Sequence, residues 1–166
     1  MAESVNNQEI RMSEYNAKVI WNRGSHESYI DNQYSRGHRW VFDGGLTVPA
    51  SSSPHIVPLP FSVEANVDPE EAFVASLSSC HMLFFLGIAA KKRWVVDAYT
   101  DNAIGVIEND SDGNMAMTKV TLRPKVDFSG EKLPTLEQVE KVHHQSHQEC
   151  FIANSVKTEV CVDVQV

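Results

Sequence analysis

Apolar residues alternate with polar ones along two stretches of the chain, near its start and at its end. Tyr15, Ala17, Val19 and Trp21 alternate with Asn16, Lys18, Ile20 and Asn22, the period of a strand with one buried face. Met1 to Ser13 is polar and aperiodic, which predicts a loose lead-in over residues 1–13 and one folded domain over 14–166. Arg36 to Phe42 reads as a second strand, Asp43-Gly44-Gly45 as a tight turn and Leu46 to Val48 as a third strand, together an antiparallel meander. Pro49 to Phe61 carries four prolines and three serines and predicts an ordered surface loop.

The pattern then changes to helix. Asp68 is an N-cap, Pro69 follows at the first helical position and Glu71 completes a capping box. From Phe73 to Ala90 nearly every residue is apolar or small, so the helix is expected inside a domain. Cys80 lies in its middle. Ten residues of unbroken helix would hold Glu70 about 15 Å from Cys80. Ser76, Ser78 and Ser79 favour caps over helix interiors, so a break near Ser78 is expected. It would place Cys80 in a first turn, where the dipole favours a thiolate.

Val95 to Glu108 and Met115 to Asp127 are rich in β-branched residues and predict a long hairpin closed by the polar turn NDSDGN. Pro134 stops the chain, and Thr135 with Gln138 caps a second helix whose buried face is Leu136, Val139, Val142 and Ser146. Val160, Val162, Val164 and Val166 alternate with polar positions in a closing strand. Strands, helix, hairpin, helix and strand in that order indicate α+β.

Composition narrows the function. With 166 residues, 42% hydrophobic, the chain suffices for one sizeable core. A net charge of -8 argues against nucleic-acid binding, which depends on cations neutralising phosphates. No apolar run is read as long enough to span a bilayer, and the first residues lack a signal pattern, so a cytoplasmic protein is expected. Three cysteines without a CxxC pair make neither a disulfide scaffold nor a structural zinc site. There is no internal repeat, phosphate loop or Ser-His-Asp motif.

Individual residues each have a plain reading and a chemical one. Cys80 fills space in a core or acts as a nucleophile. Cys150, near His143, His144, His147 and Glu149, has a polar setting more suited to chemistry, whereas Cys161 reads as structural. His144, His147 and Cys150 at three-residue spacing allow a metal site, against which stands a partly solvated face with histidines paired to Glu140 or Glu149. Glu70 is a dipole-favouring acid and Arg36 a strand cation unless they serve a site.

The run DPEEAFVASLSSC closely resembles the first signature of the OsmC/Ohr family, and HHQSHQECFIANSVKTEV resembles the second. The likeness runs from about Ala17 to the C-terminus. It implies antiparallel sheets around two central helices and an intertwined homodimer with sites at the subunit interface. It further implies a thiol-dependent peroxidase in which Cys80 is peroxidatic, Cys150 resolving, Arg36 beside the sulfur and Glu70 orienting the arginine. Organic or fatty-acid hydroperoxides are the implied substrates. No bound cofactor is implied, the reductant being an external dithiol, either small or a lipoyl group on a protein. Three residues depart from the family pattern: Phe151 after Cys150, His81 after Cys80, and Arg39 as a rival to Arg36. The alternatives are a non-catalytic ligand-binding or stress protein of the same fold, and the metal site at His144, His147 and Cys150.

Overall fold

The computed structural model describes residues 12–165. All but the last two residues of the expected lead-in lie outside them. The contacts divide the chain into two compact units, Met1–Val67 and Asp68–Val166.

The first unit is built on a three-stranded antiparallel sheet, β1 (Ala17–Ile20), β2 (His38–Phe42) and β3 (Thr47–Ala50), in that order. The expected meander is present, with shorter strands. Phe42 and Leu46 close its turn, in which Gly45 takes φ +86°, a conformation that needs glycine. Contrary to the expected buried face, β1 is largely exposed, Val19 included. Arg36 precedes β2 instead of lying on it. In the loop that follows β3, hydroxyls replace a backbone ladder. Ser51 Oγ accepts from Val63 N at 2.9 Å and Ser53 Oγ from His55 N at 3.2 Å, which orders the proline-rich segment.

The second unit begins with α1 (Pro69–Lys91), and both halves of its capping box form: Glu71 N donates to Asp68 Oδ1, and Asp68 N to Glu71 Oε2. The strands β4 (Val95–Asp101), β5 (Ile104–Asn109), β6 (Met115–Leu122) and β7 (Pro124–Ser129) follow. They are the expected long hairpin, interrupted in both arms, so that β4 pairs with β7 and β5 with β6. Next come α2 (Leu136–Glu149), α3 (Phe151–Asn154) and β8 (Glu159–Val162). The closing strand runs parallel to β6, an exception to antiparallel pairing.

Two apolar clusters hold α1 in place. Phe85, Ile88 and Ala89 pack with Trp94, Val139 and Val142, whereas Leu77 packs with Val120 and Leu122. Leu136, expected on the buried face of α2, is exposed, and His143 takes a place there.

α1 runs through Ser78 without a break. Ser76 Oγ donates to the Phe73 carbonyl, and Ser78 Oγ donates to Asp101 Oδ2 on β4. Hydroxyls satisfied in this way need not cap a second helix. By length and composition α1 would also suffice to cross a membrane, a correction to the reading of its apolar run. Nor is it buried all round: Ala75, Ser79, Leu83, Gly87 and Ala90 form an exposed stripe, Leu83 being 63% exposed.

Candidate thiol site

Cys80 sits midway along α1, half-buried, and is therefore not in a helix first turn as expected. Cys150 is the junction between α2 and α3: it ends the one helix and caps the other, its sulfur accepting from Ala153 N at 3.4 Å. The two thiols, 70 positions apart in sequence, are close enough for Cys80 to act on the Cys150 thiol. Burial first, and then the neighbouring Cys80, push the Cys150 thiol up to about 11, against the lowering effect of the Ala153 and Ile152 N–H groups. Beside the sulfurs the Phe84 and Phe151 rings meet edge to face, with centroids 5.2 Å apart. Leu77, one turn before Cys80, lies in a cluster with Ile152 and Ala153 of α3. The surroundings of the pair are therefore apolar.

Glu70 keeps the separation along α1 that the expected break would have shortened, about 15 Å of helical rise. Its Oε2 is buried and has no hydrogen-bond partner among the described residues. In the first unit the Arg36 guanidinium donates to the carbonyls of Asn32 and Tyr34, and lies 3.8 Å from the centroid of the Tyr34 ring. Tyr34 in turn stacks on Tyr29, and Trp21 meets Tyr34 edge-on. These contacts hold the fork in one orientation. Arg39 is exposed on β2.

His144 is exposed and His147 half-buried, as expected of a partly solvated face, but His143 is not part of it. His143 is buried, and its Nδ1 lies 2.9 Å from Nε2 of His81, which is equally buried. The two rings are near parallel, 7° apart. Burial first, then repulsion from His147, lowers His81 to about 4 against the pull of Asp101, and burial followed by repulsion from His81 lowers His143 to about 3, so both are neutral near pH 7. His144 bonds to Gln148, and Glu149 accepts from Gln145, so neither pairs as expected. His147 has a buried Nδ1 without a partner among the described residues. A pocket of about 510 Å³ opens between this part of α2 and β8, lined by Glu140, His144 and His147 on one side and Val160 and Val162 on the other. Among the described residues no three His, Cys, Asp or Glu side chains converge so as to hold a metal ion. The alternative at His144, His147 and Cys150 lacks that geometry, since Cys150 turns to Cys80.

Sequence reasoning missed the His81–His143 pair and the Ser78–Asp101 link. A signal for the first was present, because His143 falls between Val139 and Ser146 on the buried stripe of α2.

A family model described as OsmC-like protein matches residues 63–165. The chain belongs to the OsmC-like family. An OsmC-like protein of unknown function from Vibrio cholerae is 61% identical, with a TM-score of 0.92 over 93% of this chain and all of that one. The fold extends to remote members. An organic hydroperoxide resistance protein, OsmC, from Legionella pneumophila matches at 13% identity and a TM-score of 0.68, covering 94% of this chain and 99% of its own. An organic hydroperoxide resistance protein from Elizabethkingia anophelis, solved with thiocyanate bound, matches at 16% identity and 0.66, covering 93% and 96%. No functionally curated protein matches the OsmC-like chain significantly.

Proposed function

We propose that this OsmC-like protein is a thiol-dependent peroxidase that reduces organic hydroperoxides to alcohols. The nearness of Cys80 to Cys150 carries the reading, since a transient disulfide requires two sulfurs that can reach each other. The hydroperoxide resistance proteins that share the fold agree with it.

In the proposed cycle the Cys80 thiolate attacks the terminal peroxide oxygen, the O–O bond breaks, and the alkoxide takes a proton to leave as alcohol. Cys80 is then a sulfenic acid. The sulfur of Cys150 attacks that of Cys80, the Cys150 proton and the sulfenic hydroxyl leave as water, and a disulfide forms. An external dithiol, small or a protein-borne lipoyl group, returns both thiols and is itself oxidised. Arg36 would stabilise the Cys80 thiolate, as the family resemblance implies. Glu70 would orient the arginine, as the same resemblance implies. The apolar wall of Phe84 and Phe151 suits an alkyl or acyl-chain peroxide.

The exposed stripe on α1 supports assembly as a homodimer, since a partner copy would cover its small and apolar side chains. Peroxide consumption with dithiothreitol or dihydrolipoamide tests the activity. Turnover that vanishes in Cys80→Ser supports it, and no turnover with either dithiol contradicts it in favour of a binding protein.

A further inference from the structure

The two helices that bring the sulfurs together are joined in their buried contact by a polar link. His81 on α1 and His143 on α2 lie 62 positions apart in sequence, each 1% exposed, and are hydrogen-bonded at 2.9 Å. His81 directly follows Cys80, and on an uninterrupted helix its position fixes that of Cys80 rigidly. His143 lies two turns before Cys150 on the helix that Cys150 ends.

An apolar pair would fill this space with less loss of hydration. Two outer ring nitrogens, His81 Nδ1 and His143 Nε2, are buried without partners among the described residues. One of them must be an N–H donor and the other a bare acceptor, whichever way the shared proton lies. Burying such groups is unfavourable to folding, so stability alone does not account for the pair. What a directional bond adds to an apolar contact is register: apolar side chains slide and rotate with small energy changes, whereas an N–H···N bond holds only near one distance and angle. Phe85, with its ring 4.3 Å from that of His143, braces the pair from the side.

Segment 78–81 is thus tied on several sides. Ser78 bonds to Asp101 of β4, Cys80 meets Cys150 at the start of α3, and His81 bonds to α2. We propose that the His81–His143 pair is a positioning device that sets the rotation and height of α1 against α2, and thereby the distance and angle at which Cys150 reaches Cys80. The proposal rests on the thiol-redox reading of that site. Neither histidine touches the reacting atoms, so both are positioning residues.

The test uses the purified full-length protein. The fraction of Cys80–Cys150 disulfide is measured in dithiothreitol redox buffers for the wild type and for His81→Leu/His143→Leu, with melting temperatures alongside. The double variant fills the space with apolar groups and is expected to melt at or above the wild-type temperature. Its disulfide equilibrium constant is expected to shift by about tenfold or more, roughly 30 mV for a two-electron couple. A folded double variant with the wild-type constant overturns the proposal.

Should the double variant not fold, ¹⁵N spectroscopy of the histidines in the wild type decides. A coupling across one N–H···N bond between two neutral rings near pH 7 supports the pair, and its absence, or an imidazolium, overturns it. Failure of the peroxidase reading is separately visible. It would appear as a wild type that forms the disulfide in redox buffer yet consumes no peroxide.

Discussion

Cys80 is the near neighbour of Cys150, whose thiol is raised to about 11 by burial first and then by Cys80. A sulfur that holds its proton is a poor first nucleophile. In the proposed cycle Cys80 attacks and Cys150 resolves, the roles the family resemblance implies. Cys80→Ser is expected to lower peroxide turnover by at least about a thousandfold. Cys150→Ser is expected to consume one equivalent and then stall with Cys80 as a sulfenic acid, which dimedone labelling and mass spectrometry would detect. Steady turnover by Cys150→Ser at the wild-type rate would remove the resolving role.

The buried histidines predict a stability profile. Burial holds His81 at about 4 and His143 at about 3, below the ordinary histidine value of 6.5. Below pH 6.5 the unfolded chain binds protons that the folded chain does not, so stability falls as pH drops from 6.5 towards 3. Each group contributes a slope of up to about 1.4 kcal/mol per pH unit. Urea unfolding between pH 7 and pH 4 would show this loss, and His81→Leu/His143→Leu would flatten it. An equally steep profile in the variant would assign the acid sensitivity to other groups.

Leu83 is 63% exposed on a stripe with Ala75, Ser79 and Gly87. If a second copy covers it, Leu83→Arg places a charge in an apolar contact, and the protein should elute as a monomer or a weakened dimer in size-exclusion chromatography. A wild type that is monomeric at micromolar concentration would contradict the homodimer.

Gly105 on β5 lets the sheet approach α1 closely. A Cβ there would lie 2.5 Å from Met117 Sδ and 2.6 Å from Val74 Cγ2. Gly105→Ala is expected to destabilise the fold by about 1–3 kcal/mol, measured by denaturant unfolding. An unchanged midpoint would mean that Met117 and Val74 move aside at little cost.

What could be read from the sequence was local. Both capping boxes, at Asp68 and Thr135, appear where Asp/Thr and Glu/Gln stand three residues apart, because the motif depends only on neighbours. The serines of α1 misled because their hydroxyls have partners that spacing does not reveal, Ser78 bonding to Asp101 across 23 positions. His143 stands on the buried stripe of α2, but its partner His81, 62 positions earlier, is not revealed by spacing. The parallel pairing of β8 with β6 is equally non-local, since alternation specifies a strand and its buried face but not its neighbour. The candidate site was legible as a resemblance carried by two cysteine-containing runs. The arrangement that brings their sulfurs together is set by α1 packing on α2 and α3.

The central claim is that these two sulfurs form a redox pair. Mass spectrometry after one equivalent of an organic hydroperoxide, with free thiols blocked, tests it most directly. The account predicts a single intramolecular Cys80–Cys150 disulfide, with Cys161 recovered as a blocked free thiol. Recovery of Cys80 and Cys150 as blocked free thiols while the peroxide remains would contradict it.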